Sequence, residues 1–277
     1  MAKVQTLKKQ EPEDTTGERV LITPEMAGDW LRYNLHNRGL KKSTVQAYAR
    51  DMQEGDWCWT GDPIRFDKSG ALIDGQHRLE ACKLAGVPFE STVIRDLDEN
   101  IMRFLDRGVK RTVADTLRLE GHQQSLILGA AARWLYYFKH GAAAMSKSKV
   151  TSIEVLKMAD AHPLLDESCK AVESAFGPSP SLLAAVHYVG AVLLDQKETA
   201  DEFATVFVSG KKFYEGDAAH VWRERLIRSK EGRTRIIQEF MQRGTTHAWN
   251  LFRDRTPCVI LRIPEFVAFN ELDYKKL

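Results

Sequence analysis

The spacing of apolar positions changes along the chain, and each change marks a new element. Residues 1–19 are polar and aperiodic, which predicts a flexible arm, with structure starting near Val20. Thr23-Pro24-Glu25 reads as an N-cap, a proline at the first helical position and an acidic first turn. Met26, Trp30, Leu31 and Leu35 then recur at helical spacing, and Gly39 ends that helix. A second helix, capped by Ser43, aligns Val45, Tyr48, Ala49 and Met52 and stops at Gly55. The period then shortens. Pro63–Phe66 and Ala71–Ile73, joined by Asp67-Lys68-Ser69-Gly70, read as strand, tight turn, strand. Asp74-Gly75 breaks the pattern. From Gln76 it is helical again, with Leu79, Cys82, Leu84 and Ala85 as inward positions, until Gly86. Pro88–Leu97 reads as a third strand, followed by short helices at Glu99–Leu105 and Val113–Leu119.

Beyond residue 119 the strand signals nearly vanish. Helical patterns cover Ser125–Phe138, Thr151–Ala161 (with Ser152 as cap), Leu164–Ala175, Ser181–Leu194, Ala200–Val208, Ala218–Ser229 and Gly232–Phe252. Gly177-Pro178-Ser179-Pro180 punctuates this region, and Val259–Ile263 reads as one late strand. The chain is therefore expected to be α+β. It would comprise an arm at 1–19, a small mixed-sheet domain at 20–119 and a mainly helical domain at 120–277.

Composition narrows the partners. With 277 residues, 43% hydrophobic and 28% charged, the chain can bury a sizeable core. A formal net charge of +2 excludes a polycation, so any nucleic-acid contact needs a local basic face. Cys58, Cys82, Cys169 and Cys258 are scattered and read as buried free thiols, with neither a disulfide framework nor zinc-ligand spacing. The polar N-terminus has no signal-peptide core, and no apolar run reaches the ~18 residues of a membrane span, so a cytoplasmic protein is expected.

The chemistry concentrates at Asp74-Gly75-Gln76-His77-Arg78-Leu79-Glu80-Ala81. A strand that turns straight into a helix leaves the first helical amides at the positive end of the macrodipole, where an anion gains several hydrogen bonds. Gly75 permits the sharp turn and the approach of a phosphate, and Gln76 adds an amide. Arg78 offers a planar cationic fork. His77 adds a donor that titrates near neutral pH. Asp74 stands at the mouth as cap, metal-water ligand or proton acceptor. Without ligand chemistry, the same residues would make a plain hairpin-to-helix junction.

The run from Pro63 to Ala85 resembles the signature of the ParB/sulfiredoxin superfamily. That resemblance implies a small α+β fold whose G-x-x-R turn binds nucleotide phosphates, here Gly75, Arg78 and Ala81. In the partition-protein branch this turn cradles the triphosphate of CTP. Gln76 stands where sulfiredoxins place their reacting cysteine, which excludes that redox chemistry. Glu99-Asn100-Ile101-Met102-Arg103 is similar to the family's later E-N-x-x-R segment, which implies Glu99 and Asn100 at Mg²⁺ and Arg103 at the nucleotide. Asp106–Asp115 resembles a stretch of phage-encoded relatives, with Lys110 and Arg111 as a second anion contact.

The expected function is a nucleotide-binding, DNA-associated protein, a switch or hydrolase for CTP or ATP with Mg²⁺. A phosphotransferase acting on a small molecule or modified base is the alternative, with Asp74, His77, Glu99 or Glu25 as catalytic groups. A ParB-fold nuclease is a further one, although the acidic metal cluster it needs is not evident. The basic stretch Trp222–Arg255 would be the DNA contact, and a homodimer is compatible with the family.

Overall fold

A computed structural model describes residues 17–35, 37, 39–98, 101, 111–141, 145, 150–234 and 236–277. The chain is mixed α+β, with eleven α-helices and a four-stranded sheet among the described residues. It divides into two compact units, Met1–Val109 and Lys110–Leu277.

The first unit is built on strands β1 (Glu18–Ile22), β2 (Pro63–Asp67), β3 (Leu72–Asp74) and β4 (Phe89–Leu97), in the order β1-β4-β2-β3. β2 and β3 form an antiparallel hairpin, β4 lies parallel to β2, and β1 closes the far edge antiparallel to β4. Three helices accompany the sheet: α1 (Pro24–Leu31), α2 (Lys42–Gln53) and α3 (Gln76–Ala85). Their apolar faces meet Ile64, Phe66, Leu72, Phe89 and Val93 from the sheet in one core with Ala27, Ala49, Met52, Leu79 and Cys82. Trp30 packs edge-on to Phe66 at 5.4 Å.

Several local readings need correction. Order begins before Val20, because Glu18 and Arg19 pair with β4 although both are exposed; residues 1–16 of the expected arm lie outside the described residues. α1 stops at Leu31, and Leu35 is exposed in the loop beyond it. That loop is useful: Tyr33 O accepts from Leu72 N at 2.9 Å and Asn37 Nδ2 donates to Leu72 O at 2.6 Å, so it covers the β3 edge. α2 begins at Lys42 with Lys41 as N-cap and no side-chain cap, not with Ser43 capping. Leu84 is exposed on α3. Cys58 is exposed, whereas Cys82 and Cys169 are buried.

The second unit contains α4 (Val113–Leu119), α5 (Ser125–His140), α6 (Ser152–Ala161), α7 (Leu165–Ala171) and α8 (Pro180–Tyr188). α8 runs into a π-helical segment, Val189–Leu193, and α9 (Lys197–Ser209), α10 (Ala218–Glu231) and α11 (Gln238–Arg253) follow. α4 contributes Val113 and Leu117 to this unit's core, so the boundary falls ahead of α4 instead of after residue 119. Thr151, not Ser152, caps α6, through a capping box with Glu154. Two glycines seat the largest core rings: a Cβ on Gly190 would stand 2.4 Å from the Trp249 ring, and one on Gly244 2.4 Å from that of Trp222.

The segment after α11 is not a strand at Val259–Ile263. Its carbonyls are taken by side chains instead. Arg225 donates to Leu261 O at 3.0 Å, Arg243 to Glu265 O at 2.6 Å, Asn250 to Ala268 O at 2.7 Å and Arg253 to Asn270 O at 3.1 Å. These bonds lay the segment down so that Leu261, Phe269 and Leu272 are buried.

A polar chain runs from the buried Ser168 and His187 out to the exposed side chains of Asp201 and Lys197. His187 sits between Ser168 Oγ and Asp201 Oδ1, each at 2.9 Å, and Lys197 reaches Asp201 at 2.7 Å. The order Ser-His-Asp matches a hydrolytic triad, but Ser168 is only 2% exposed, so no substrate reaches its hydroxyl. Its role is to clamp α7, α8 and α9. Burial pushes the pKa of His187 below the ordinary histidine value of 6.5, with hydrogen bonding to Asp201 opposing it, and burial does the same to His162 and His247. The folded state thus favours neutral imidazoles. Their contribution is complete above about pH 6.5 and is lost as pH falls through the lowered folded-state values. The urea midpoint of the second unit is expected to drop between pH 7.5 and pH 5, and to drop less in His187→Gln. A flat midpoint over that range would contradict the assignment.

Candidate anion-binding site

The turn after β3 is dictated by one residue. Gly75 has φ 106° and ψ 0°, a left-handed conformation that side chains resist. A Cβ there would also stand 2.3 Å from Ile64 Cδ1, whose residue is fully buried. Gly75 O accepts from both Arg78 N at 2.9 Å and Leu79 N at 3.0 Å, so α3 starts without any intervening loop. The expected strand–glycine–helix junction is present, and Asp74, Gly75, Gln76, His77 and Arg78 are all in it.

The side chains depart from an outward-facing cradle. Arg78 donates to Asp62 O at 2.5 Å and Pro63 O at 2.6 Å, and lies 3.7 Å from Asp74 Oδ2 with its side chain 14% exposed. Its fork thus binds the entry of β2, and burial lowers its pKa while Asp74 opposes that shift. Asp74 is engaged by Arg65 as well, at 2.5 Å. A carboxylate held between two guanidinium groups braces the turn. Gln76 is buried and accepts from Asn34 Nδ2 at 3.0 Å, which ties the helix start to the loop over β3.

His77 makes the contact that shapes the site. Its Nε2 accepts from Lys41 N at 3.1 Å, which assigns the neutral-ring proton to Nδ1. Lys41 is the N-cap of α2. At the opposite ends, Gln53 Nε2 donates to Ala85 O at 3.3 Å. Thus α2 and α3 run parallel, and their N-termini meet at His77. Neither has a side-chain cap, a property shared with α5, α7, α9 and α11; what sets α2 and α3 apart is that His77 joins their two uncapped ends. Two adjacent positive helix ends repel each other and favour an anion between or beside them. Lys41 and Lys42 add cationic side chains there. Sequence patterns do not register helices against each other, so Asn34, Lys41 and Arg65 were missed.

Glu99, Asn100, Arg103 and Lys110 lie outside the described residues. Arg111 precedes the Thr112 cap of α4, in the second unit. Glu25 is in the first turn of α1, where hydrogen bonds from the backbone and Thr23 hold its carboxyl below the usual range. Among the described residues, no group of three His, Cys, Asp or Glu side chains could hold a metal ion. Within Trp222–Arg255, Arg225, Arg243 and Arg253 are spent on the C-terminal segment, and Arg255 pairs with Glu202. No helix among the described residues is long and apolar enough to cross a membrane. No protein-family model, curated protein or solved structure matches the chain.

Proposed function

We propose that this chain binds a nucleoside triphosphate, CTP or ATP, with its phosphates at the joined N-termini of α2 and α3, as a ParB/sulfiredoxin-type protein. The carrying observation is that two parallel helices bring their N-termini together, fastened by the bond from Lys41 N to His77 Nε2. The phosphates would meet the backbone at Gly75–His77 and the cationic side chains of Lys41 and Lys42. Arg78 would serve mainly by holding the turn in shape. Mg²⁺ would arrive with the nucleotide, and Glu99, Asn100 and Arg103 are its and the nucleotide's proposed further partners.

With Asp74 committed to arginines, we read the site as a binding switch before a hydrolase or kinase. The test is thermal unfolding of the full chain with CTP, ATP, GTP or UTP and Mg²⁺. At one hundred times its dissociation constant, the preferred nucleotide should stabilise the protein by about 2.7 kcal/mol. If none of them raises the midpoint while a short DNA duplex does, the reading fails and the turn is a contact for DNA phosphates. The same duplex titration, repeated in rising salt, tests the DNA partner. Analysis of the nucleotide afterwards separates a switch from a hydrolase, which releases phosphate, and from a kinase, which labels an acceptor.

A further inference from the structure

We propose that the second unit carries a separate binding site for a small aromatic amine, one ring bearing an alkylammonium group. The site is a cavity of about 170 Å³ between α5, α11 and the C-terminal segment. Its walls include Tyr137, Phe138, Val267, Phe269 and Tyr274. That volume is close to the ~150 Å³ that accommodates a benzene ring in an apolar protein cavity.

Charge at the rim selects the ligand. Arg243 keeps its positive charge at the rim; its Nη1 donates to Pro264 O at 3.1 Å and Glu265 O at 2.6 Å, and its Nε is buried with no hydrogen bond among the described residues. The rim carboxylates are far less engaged. Glu239 has one ion pair among the described residues, 4.0 Å from Arg243 Nε, and the Glu265 carboxylate has none. Aromatic faces are electron-rich and attract cations. Two carboxylates against the one guanidinium of Arg243 leave the described lining net negative, so an ammonium at the mouth is favoured over a carboxylate. Phe266 stands at this mouth 82% exposed, an apolar surface that a bound alkyl linker would cover.

Calorimetric titration of the full chain with phenethylamine, phenylacetate and ethylbenzene tests the idea, since the three share a shape and differ in charge. Phenethylamine should bind saturably and more tightly than the other two. The exposed double substitution Glu239→Gln, Glu265→Gln should weaken it by at least about fivefold while leaving ethylbenzene unchanged. No saturable binding of the amine would overturn the proposal. So would equal or tighter binding of phenylacetate, or an affinity that the double substitution does not alter.

Discussion

Gly75→Ala is expected to destabilise the first unit by about 2–4 kcal/mol, from left-handed backbone strain and from overpacking against a buried neighbour. The neighbour is Ile64 Cδ1, 2.3 Å from where the new Cβ would sit; Ile64 Cγ1 and Cγ2 are at 3.4 Å. Only the terminal methyl therefore clashes severely. Ile64→Val removes that methyl at a cost of its own of about 0.5–1.5 kcal/mol. In the Ile64→Val background, Gly75→Ala should cost about 1 kcal/mol less than in the parent, leaving the backbone strain. Urea unfolding of the four proteins gives the coupling. Strict additivity would show that Ile64 does not set the space at the turn.

Arg78→Ala is expected to cost about 2–4 kcal/mol in the absence of any ligand. The substitution leaves the Asp62 and Pro63 carbonyls without their cationic donor and removes one of the partners of Asp74. Arg78→Lys should recover little, because one ammonium cannot reproduce a planar fork spread over two carbonyls. A residue that served phosphate alone would leave unliganded stability within about 0.5 kcal/mol of the parent. Denaturant unfolding of the nucleotide-free variants decides between the two roles.

The Arg78 case shows where sequence reading reaches its end. The junction itself was legible, because Asp-Gly between a short apolar strand and a helical period permits few structures. The purpose of Arg78 was not legible, since its partners are backbone carbonyls that carry no residue-type signal. The same reason hid the roles of Arg225 on α10 and of Arg243 and Arg253 on α11. Their spacing resembled a basic face, yet they satisfy carbonyls of the segment at 261–270, which in turn need no sheet partner. Helix existence in the second unit was readable from apolar period and caps such as Thr112. β1 has no counterpart in the sequence pattern, because an edge strand with Glu18 and Arg19 exposed lacks alternation at its start. The parallel pairing of α2 and α3 follows from core packing around Met52, Leu79 and Cys82, which periodicity alone does not register.

Phosphate binding at the shared end of α2 and α3 is the central proposal. Amide NMR of the isotope-labelled full chain during a titration with Mg²⁺–CTP and Mg²⁺–ATP tests it most directly. The largest shifts are expected at Lys41–Thr44 and Gly75–Arg78, with the Lys41 amide moving as its bond to His77 responds. Shifts confined to other regions, or none at millimolar nucleotide, would contradict it.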